Sequence, residues 1–309
     1  MAYLSNISYS LGERFDISEL NEDPEMLKTL KLRGLSEYSK VSSNLVELTL
    51  DVLKQIKGKI SDSNKVGYFI YVFDKMNALE ECQYNPNTVL NEFLDYLEIP
   101  NAVPFIVSIL ACASTSLALK IASNLVDVNL TEEVVIVYCN KIPESDKRVL
   151  SPPTSVLSDA GLAMSVTKEN RYRGFEIISC NHFNNSALKD YKNDEEYGFF
   201  LEHQIKECKN IFNHSLDSSH LGSHVLKRVY FNNYMPHLVK MFYLELSVES
   251  DQQFLKNIPI FSHAYSADTF INLADDLQNL SYGDFVCLLP NSFTSWGGII
   301  LKYLGGILK

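Results

Sequence analysis

Basic clusters, paired cysteines and long apolar runs are all missing from this chain. Lys and Arg number 27 against 38 Asp and Glu, a formal charge of -11, and the basic residues nowhere gather into a run. Such a chain repels phosphate backbones and anionic bilayers, so neither a nucleic-acid nor a membrane partner is expected. The six cysteines, Cys82, Cys112, Cys139, Cys180, Cys208 and Cys287, form no CxxC pair and no Cys/His spacing. That pattern suggests neither a zinc site nor a disulfide framework; no metal is expected, and a reducing cytoplasm fits. No apolar stretch approaches the ~20 residues that cross a bilayer. The N-terminal Met-Ala-Tyr-Leu-Ser also lacks the basic and apolar regions of a leader peptide. The reading is a soluble, unprocessed, cytoplasmic protein.

What the chain does have is apolar mass: 46% of its 309 residues are hydrophobic, enough for one large core or two closely packed halves. Continuous apolar runs at 66–73, 105–110 and 133–139 have the character of buried parallel strands. Helices alternate with them. One starts at Asp23-Pro24-Glu25 and closes at Arg33-Gly34; one runs from a Ser42 or Ser43 cap to Lys57; others cover 87–97 and 115–125. Strand, helix, strand alternation implies a parallel sheet covered by helices, with right-handed crossovers. A strand and turn at 7–15, a small-residue strand within 155–167 and an alternating strand at 172–180 complete this part. Residues 181–213, rich in Asn, Lys, Asp and Glu, have the composition of a solvated helix and loop.

The second half repeats the first: a strand at 225–231, a helix at 236–246, a loop at 261–267, a helix at 268–280 and a strand at 284–289. Helix 268–280 takes the slot of the helix that follows Cys112, and strand 285–289 that of 134–137. Cys112 falls where a strand turns into a helix, among Ala111, Ala113 and Ser114, where free N–H groups and the helix dipole favour a thiolate. The other reading of Cys112 is a buried cysteine packed as a small hydrophobe. Matching halves bring the two helix starts face to face, which places His263 near Cys112. His182, His203, His214, His220 and His224 are expected on the solvated surface, and His237 on a helix face.

Four segments, in order, carry a resemblance over nearly the whole length: Arg33-Gly-Leu-Ser-Glu37, Ala111-Cys-Ala-Ser114, Leu157-Ser-Asp-Ala-Gly161 and Asn291-Ser-Phe-Thr-Ser-Trp-Gly297. The chain resembles the thiolase superfamily, and within it the condensing enzymes of the ketoacyl-acyl carrier protein synthase III type. The resemblance implies an α/β thiolase fold of five layers, αβαβα, with two pseudo-symmetric halves. Residues 1–168 would carry the nucleophile and 169–309 the active-site histidine, together one compact unit. It also implies a homodimer, or a heterodimer with a related chain. No cofactor would be tightly bound; acyl-coenzyme A or a phosphopantetheine-linked acyl carrier protein would be the substrate.

Cys112 matches the family's nucleophile. The position of its catalytic histidine falls near Asn232 in Tyr230-Phe-Asn-Asn-Tyr-Met235, and that of its asparagine on His263 in Phe261-Ser-His-Ala-Tyr265, so the two residue types look exchanged. Decarboxylative condensation uses both to hold an enolate oxygen, whereas a Cys-His pair suffices for acyl transfer. Asp268 is a candidate to orient His263, and equally an opening residue of its helix. The resemblance places the oxyanion hole on the backbone N–H groups of Cys112 and Ser292. Residues 26–33 lack the Trp and Arg that often clamp coenzyme A, and the only Trp is Trp296. This favours carrier delivery, with Lys28, Lys31, Arg33, Lys227, Arg228, Lys240 and Lys256 as candidate contacts to an acidic carrier. The expected function is an acyltransferase that moves an acyl group through Cys112 to a small-molecule acceptor in secondary metabolism. The alternatives are a decarboxylative condensing enzyme working from exchanged positions, and a non-catalytic partner subunit.

Overall fold

A computed structural model describes residues 1–60, 62–74, 85–108, 110–170, 174–190 and 197–306. Cys82, Ile109 and the expected strand start at Tyr172 lie outside the described residues. The strands are β1 (Tyr3–Leu11), β2 (Glu13–Asp16), β3 (Glu37–Lys40), β4 (Val66–Val72), β5 (Val103–Val107), β6 (Glu133–Asn140), β7 (Ala160–Thr167), β8 (Phe175–Asn184), β9 (Leu226–Phe231), β10 (Phe285–Leu289) and β11 (Ser295–Tyr303). The helices are α1 (Pro24–Leu32), α2 (Leu45–Lys57), α3 (Pro86–Leu97), α4 (Ser114–Asp127), α5 (Tyr197–Ser219), α6 (Pro236–Glu245), α7 (Ile258–Phe261) and α8 (Asp268–Asp276).

Strand order shows the internal symmetry. The large sheet reads β5-β4-β6-β7-β1-β8-β11-β10-β9. On one side β4 pairs in parallel with β5 and β6, and β7 and β1 follow antiparallel. On the other, β9 and β10 are parallel, and β11 and β8 follow antiparallel. Even the missing fifth strand leaves a trace, because Gln253 bridges Val229 in parallel on the side of β9 where β5 stands beside β4. The two sides of the sheet are joined where Tyr3 and Leu4 pair with Glu176 and Phe175.

Alternation along the strands sorts side chains between layers. Ile70, Val72, Val134, Ile136, Val286 and Leu288 enter the central core, where α4 and α8 pack between the two sides of the folded sheet. Phe69, Tyr71, Val135 and Val137 face the opposite way, under α2 and α3. Val229, Phe231, Cys287 and Leu289 likewise face α5 and α6. Helices, sheet, helices, sheet, helices make the five layers of the expected fold.

Several local expectations shift. The cap of α2 is Asn44 rather than Ser42 or Ser43, because Asn44 and Glu47 bond reciprocally, the Glu47 N–H to Asn44 Oδ1 at 2.9 Å and the Asn44 N–H to Glu47 Oε2 at 3.1 Å. The run at 105–110 yields an edge strand rather than a buried one: β5 lies outermost, with Val103 54% and Ile106 39% exposed. The stretch 181–213 is not simply a solvated face, since β8 extends to Asn184 and α5 buries Phe200, Gln204, Cys208, Ile211 and Phe212. The five described cysteines are free. Among the described residues no helix is long and apolar enough to cross a membrane.

Candidate active site

Cys112 sits in a 3₁₀ turn, Ala111–Ala113, that runs straight into α4. Its symmetry mate is the 3₁₀ turn Tyr265–Ala267, which runs into α8. The two helix starts are stitched together: Ser266 Oγ accepts the Thr115 N–H at 2.6 Å and donates to Thr115 Oγ1 at 2.7 Å. Ala111, Ser262 and Tyr265 all take left-handed φ values, 46°, 52° and 51°, that cost non-glycine residues energy. Backbone strain of this kind gathers where surrounding structure holds functional groups in place. Gly297 on β11 lets α4 approach, since a Cβ there would stand 2.4 Å from Ser116 Oγ.

His263 is held by the Leu157-Ser-Asp-Ala-Gly161 segment. Its N–H donates to Val156 O at 2.9 Å, and its carbonyl accepts the Ser158 N–H at 2.8 Å. Ser158 Oγ in turn donates to Phe261 O and accepts the Ser39 N–H. Asp159 accepts the Val41 and Ile142 N–H groups and pairs with buried Arg148. This segment is a brace rather than a reacting group.

The imidazole, fully buried between the rings of Tyr234 and Tyr265, spans two partners. Nε2 lies 3.1 Å from Cys112 Sγ, and Nδ1 bonds Asp268 Oδ2. Asp268 also accepts the Ala264 N–H at 2.7 Å and the Asn233 N–H at 2.8 Å, which orients its carboxylate. With Nδ1 protonated toward Asp268, the Nε2 lone pair faces the thiol and can take its proton. Burial pushes the Cys112 thiol well up, and the nearby Asp74 and Asp268 carboxyls add to it, outweighing its own backbone N–H. Burial and these carboxyls thus act against the thiolate that the helix start favours. Burial also raises Asp74 to about 7, although Tyr138 Oη donates to it at 2.6 Å.

Two other expected site residues occupy different roles. The Asn232 side chain is bonded at both ends to backbone, Nδ2 to Tyr265 O at 3.0 Å and Oδ1 to the Asn291 N–H at 2.7 Å. It ties the His263 loop to the 290–295 turn and does not line the cavity beside Cys112. The Ser292 N–H is not available as an oxyanion donor, because the tight turn that leads into β11 directs it to Ser295 O at 2.8 Å. Of the candidate carrier contacts, Lys28 pairs with Glu25, Lys31 with Asp16 and Arg228 with Asp276, while Arg33, Lys227, Lys240 and Lys256 are exposed. His182 is half-buried rather than fully exposed: it lies 3.3 Å from Ser116 Oγ, and burial lowers it to about 4.

A cavity of about 120 Å³ opens beside Cys112 and His263. Its walls come from α5 (Phe200, Leu201, Gln204), α6 (Leu238, Phe242), the 150–154 loop, Tyr234 and Asn291 to Phe293. Sequence reasoning missed the α5 contribution, although its apolar residues at helical spacing, Phe200, Ile211 and Phe212 among them, were a usable signal. Nothing in the sequence marked Tyr234, whose hydroxyl bonds Asn291 O at 3.1 Å. Among the described residues no group of His, Cys, Asp and Glu could hold a metal ion.

No protein-family profile and no curated protein sequence matches this chain. Solved structures do. One named as the acyltransferase ChlB3 superposes with a TM-score of 0.85 at 13% identity, over 99% of both chains. The 3-oxoacyl-[acyl-carrier-protein] synthase III of Aquifex aeolicus superposes with a TM-score of 0.79 at 13% identity, over 98% of this chain and 100% of that one. OleA of Xanthomonas campestris gives 0.74 at 12% identity, over 98% of each. The chain thus has the thiolase fold, in the form taken by condensing enzymes of the ketoacyl-acyl carrier protein synthase III type.

Proposed function

We propose that this protein is an acyltransferase that carries an acyl group on Cys112, from a coenzyme A or carrier-protein thioester to a small-molecule acceptor in secondary metabolism. The observation that carries the reading is the position of His263, bridging Cys112 Sγ and the Asp268 carboxylate. As Cys112 Sγ attacks the thioester carbonyl, His263 Nε2 takes its proton. The tetrahedral adduct then collapses, the bond to the donor sulfur breaks, and the imidazolium returns the proton to the departing thiol. In the second half, His263 takes a proton from the acceptor's hydroxyl, amine or thiol as it attacks acyl-Cys112, and returns it to the Cys112 sulfur. Asp268 keeps the Nδ1 proton in place and stabilises the imidazolium between steps.

Intact-protein mass spectrometry after incubation with acyl thioesters tests this. Wild type should gain an acyl mass that Cys112→Ala does not; a broad panel on both coenzyme A and a carrier protein leaving wild type unmodified would overturn it. A condensing reading is favoured by the name of the Aquifex relative. It asks for a second donor at the enolate oxygen, while the Asn232 amide is already bonded to Tyr265 O and the Asn291 N–H. Carbon dioxide released from a malonyl thioester in the presence of an acyl donor would favour condensation over simple transfer.

A further inference from the structure

Acylation of Cys112, the reading on which this inference rests, builds negative charge on the thioester oxygen, and that charge needs donors. The backbone N–H expected to supply one, at Ser292, is turned to Ser295 O, and the Ser292 hydroxyl is engaged in the same turn. The residue before it offers a replacement. Asn291 lines the cavity together with Cys112 and His263 and is only 4% exposed.

Its backbone is clamped on both sides, the N–H by Asn232 Oδ1 and the carbonyl by the Tyr234 hydroxyl. Its side chain makes no hydrogen bond among the described residues, and its Oδ1 is buried without a partner. Its Nδ2 amine donates to no group among the described residues and, unlike Oδ1, is not sealed off, so the amine, a neutral two-proton donor, is the end of the carboxamide open to the cavity that Asn291 shares with Cys112. An amide N–H left without an acceptor in so closed a place is costly unless a bound ligand accepts from it.

We propose that the Asn291 side-chain amide is an oxyanion donor for thioester attack by Cys112, replacing the backbone N–H that the 290–295 turn withholds. Nδ2–H donates to the carbonyl oxygen as its π electrons move onto it during Cys112 Sγ attack, and the bond persists until collapse expels the donor thiol. Asn232 and Tyr234 are positioning residues for Asn291, which gives the buried Asn232 amide a place in the chemistry without contact to substrate.

Two reactions of the same sulfur separate this role from a structural one. Iodoacetamide alkylates Cys112 at a saturated carbon and forms no oxyanion, whereas acetyl-coenzyme A and p-nitrophenyl acetate both require one. Asn291→Ala should retain the wild-type alkylation rate while single-turnover acylation by either ester falls about 10²–10³-fold, with apparent ester affinity little changed. Asn291→Asp, which puts a carboxylate in that place, should be at least as slow in acylation. Equal acylation rates in Asn291→Ala and wild type, equal losses in both reactions, or a loss confined to ester affinity would each overturn the inference. No acyl adduct on wild type with any ester would overturn the acyltransferase reading as well; an adduct on wild type with unchanged Asn291→Ala rates overturns this inference alone.

Discussion

At position 268 one carboxylate accepts two backbone N–H groups and bonds the imidazole of His263, so one side chain holds both the loop before α8 and the histidine ring. Asp268→Asn removes the preference for Nδ1–H, and the Nε2 lone pair facing Cys112 is lost in the wrong tautomer. Acylation of Cys112 should slow about 10²–10⁴-fold, measured by the single-turnover rate of adduct formation, while the variant still folds. The Cys112 thiol gives a second expectation. Its ionisation is pushed up by burial and by Asp74 and Asp268, so the thiolate is a minor species below the ordinary thiol range and grows with rising pH. Alkylation by iodoacetamide should therefore rise by about tenfold per pH unit from 7 to 9. A plateau already present at pH 7 would mean a thiolate–imidazolium pair instead.

The start of α4 is fixed by its neighbours rather than by a cap: no side chain caps either the 3₁₀ turn or the helix, and Thr115 leans on Ser266 from the other half. Close packing against β11 completes the arrangement, with Gly297 facing Ser116 of α4. Gly297→Ala places a Cβ against Ser116 Oγ and Pro290 Cγ, 2.4 and 2.9 Å away. Urea denaturation should show a loss of about 1–3 kcal/mol, and the displaced helix start should slow Cys112 acylation as well. A variant as stable and as active as wild type would mean that α4 and β11 can separate at no cost.

Across the whole molecule, the sheet has two free ends, and they differ. Beyond β9 the chain supplies a partial strand in the Val229 to Gln253 bridge, while beyond β5 no strand follows among the described residues, and Val103 and Ile106 stand exposed. An apolar edge of this kind is a liability unless another chain covers it. If a second copy of this chain covers the β5 edge, light scattering should find wild type as a dimer and Ile106→Lys as a monomer; a monomeric wild type would exclude that pairing. The net charge of -11 bears on the acyl donor at this scale, since an acidic carrier protein would have to approach against it. Among the described residues the exposed lysines Lys227, Lys240 and Lys256 carry no ion pair, which leaves their positive charge unneutralised.

Most of the layered fold could be read in the chain because strand and helix periods are local and each layer repeats them. The runs at 66–73 and 133–139, the small-residue strand ending at Thr167, and the repeat of strand and helix after residue 225 all correspond to observed elements. Cys112 and His263 were legible as partners for the same reason: two equivalent helix starts must meet when two equivalent halves pack. What no local pattern could supply is how hydrogen bonds are shared among groups distant in sequence. Asn232 could be named from a motif, but only packing reveals that its amide holds Tyr265 and Asn291. Ser292 could be placed in the turn, but only the turn's closure shows its N–H directed to Ser295. The edge position of β5 and the cavity face of α5 escaped for a related reason. An apolar or mixed segment has the same composition whether it meets core, solvent or substrate, and only its neighbours in space decide which.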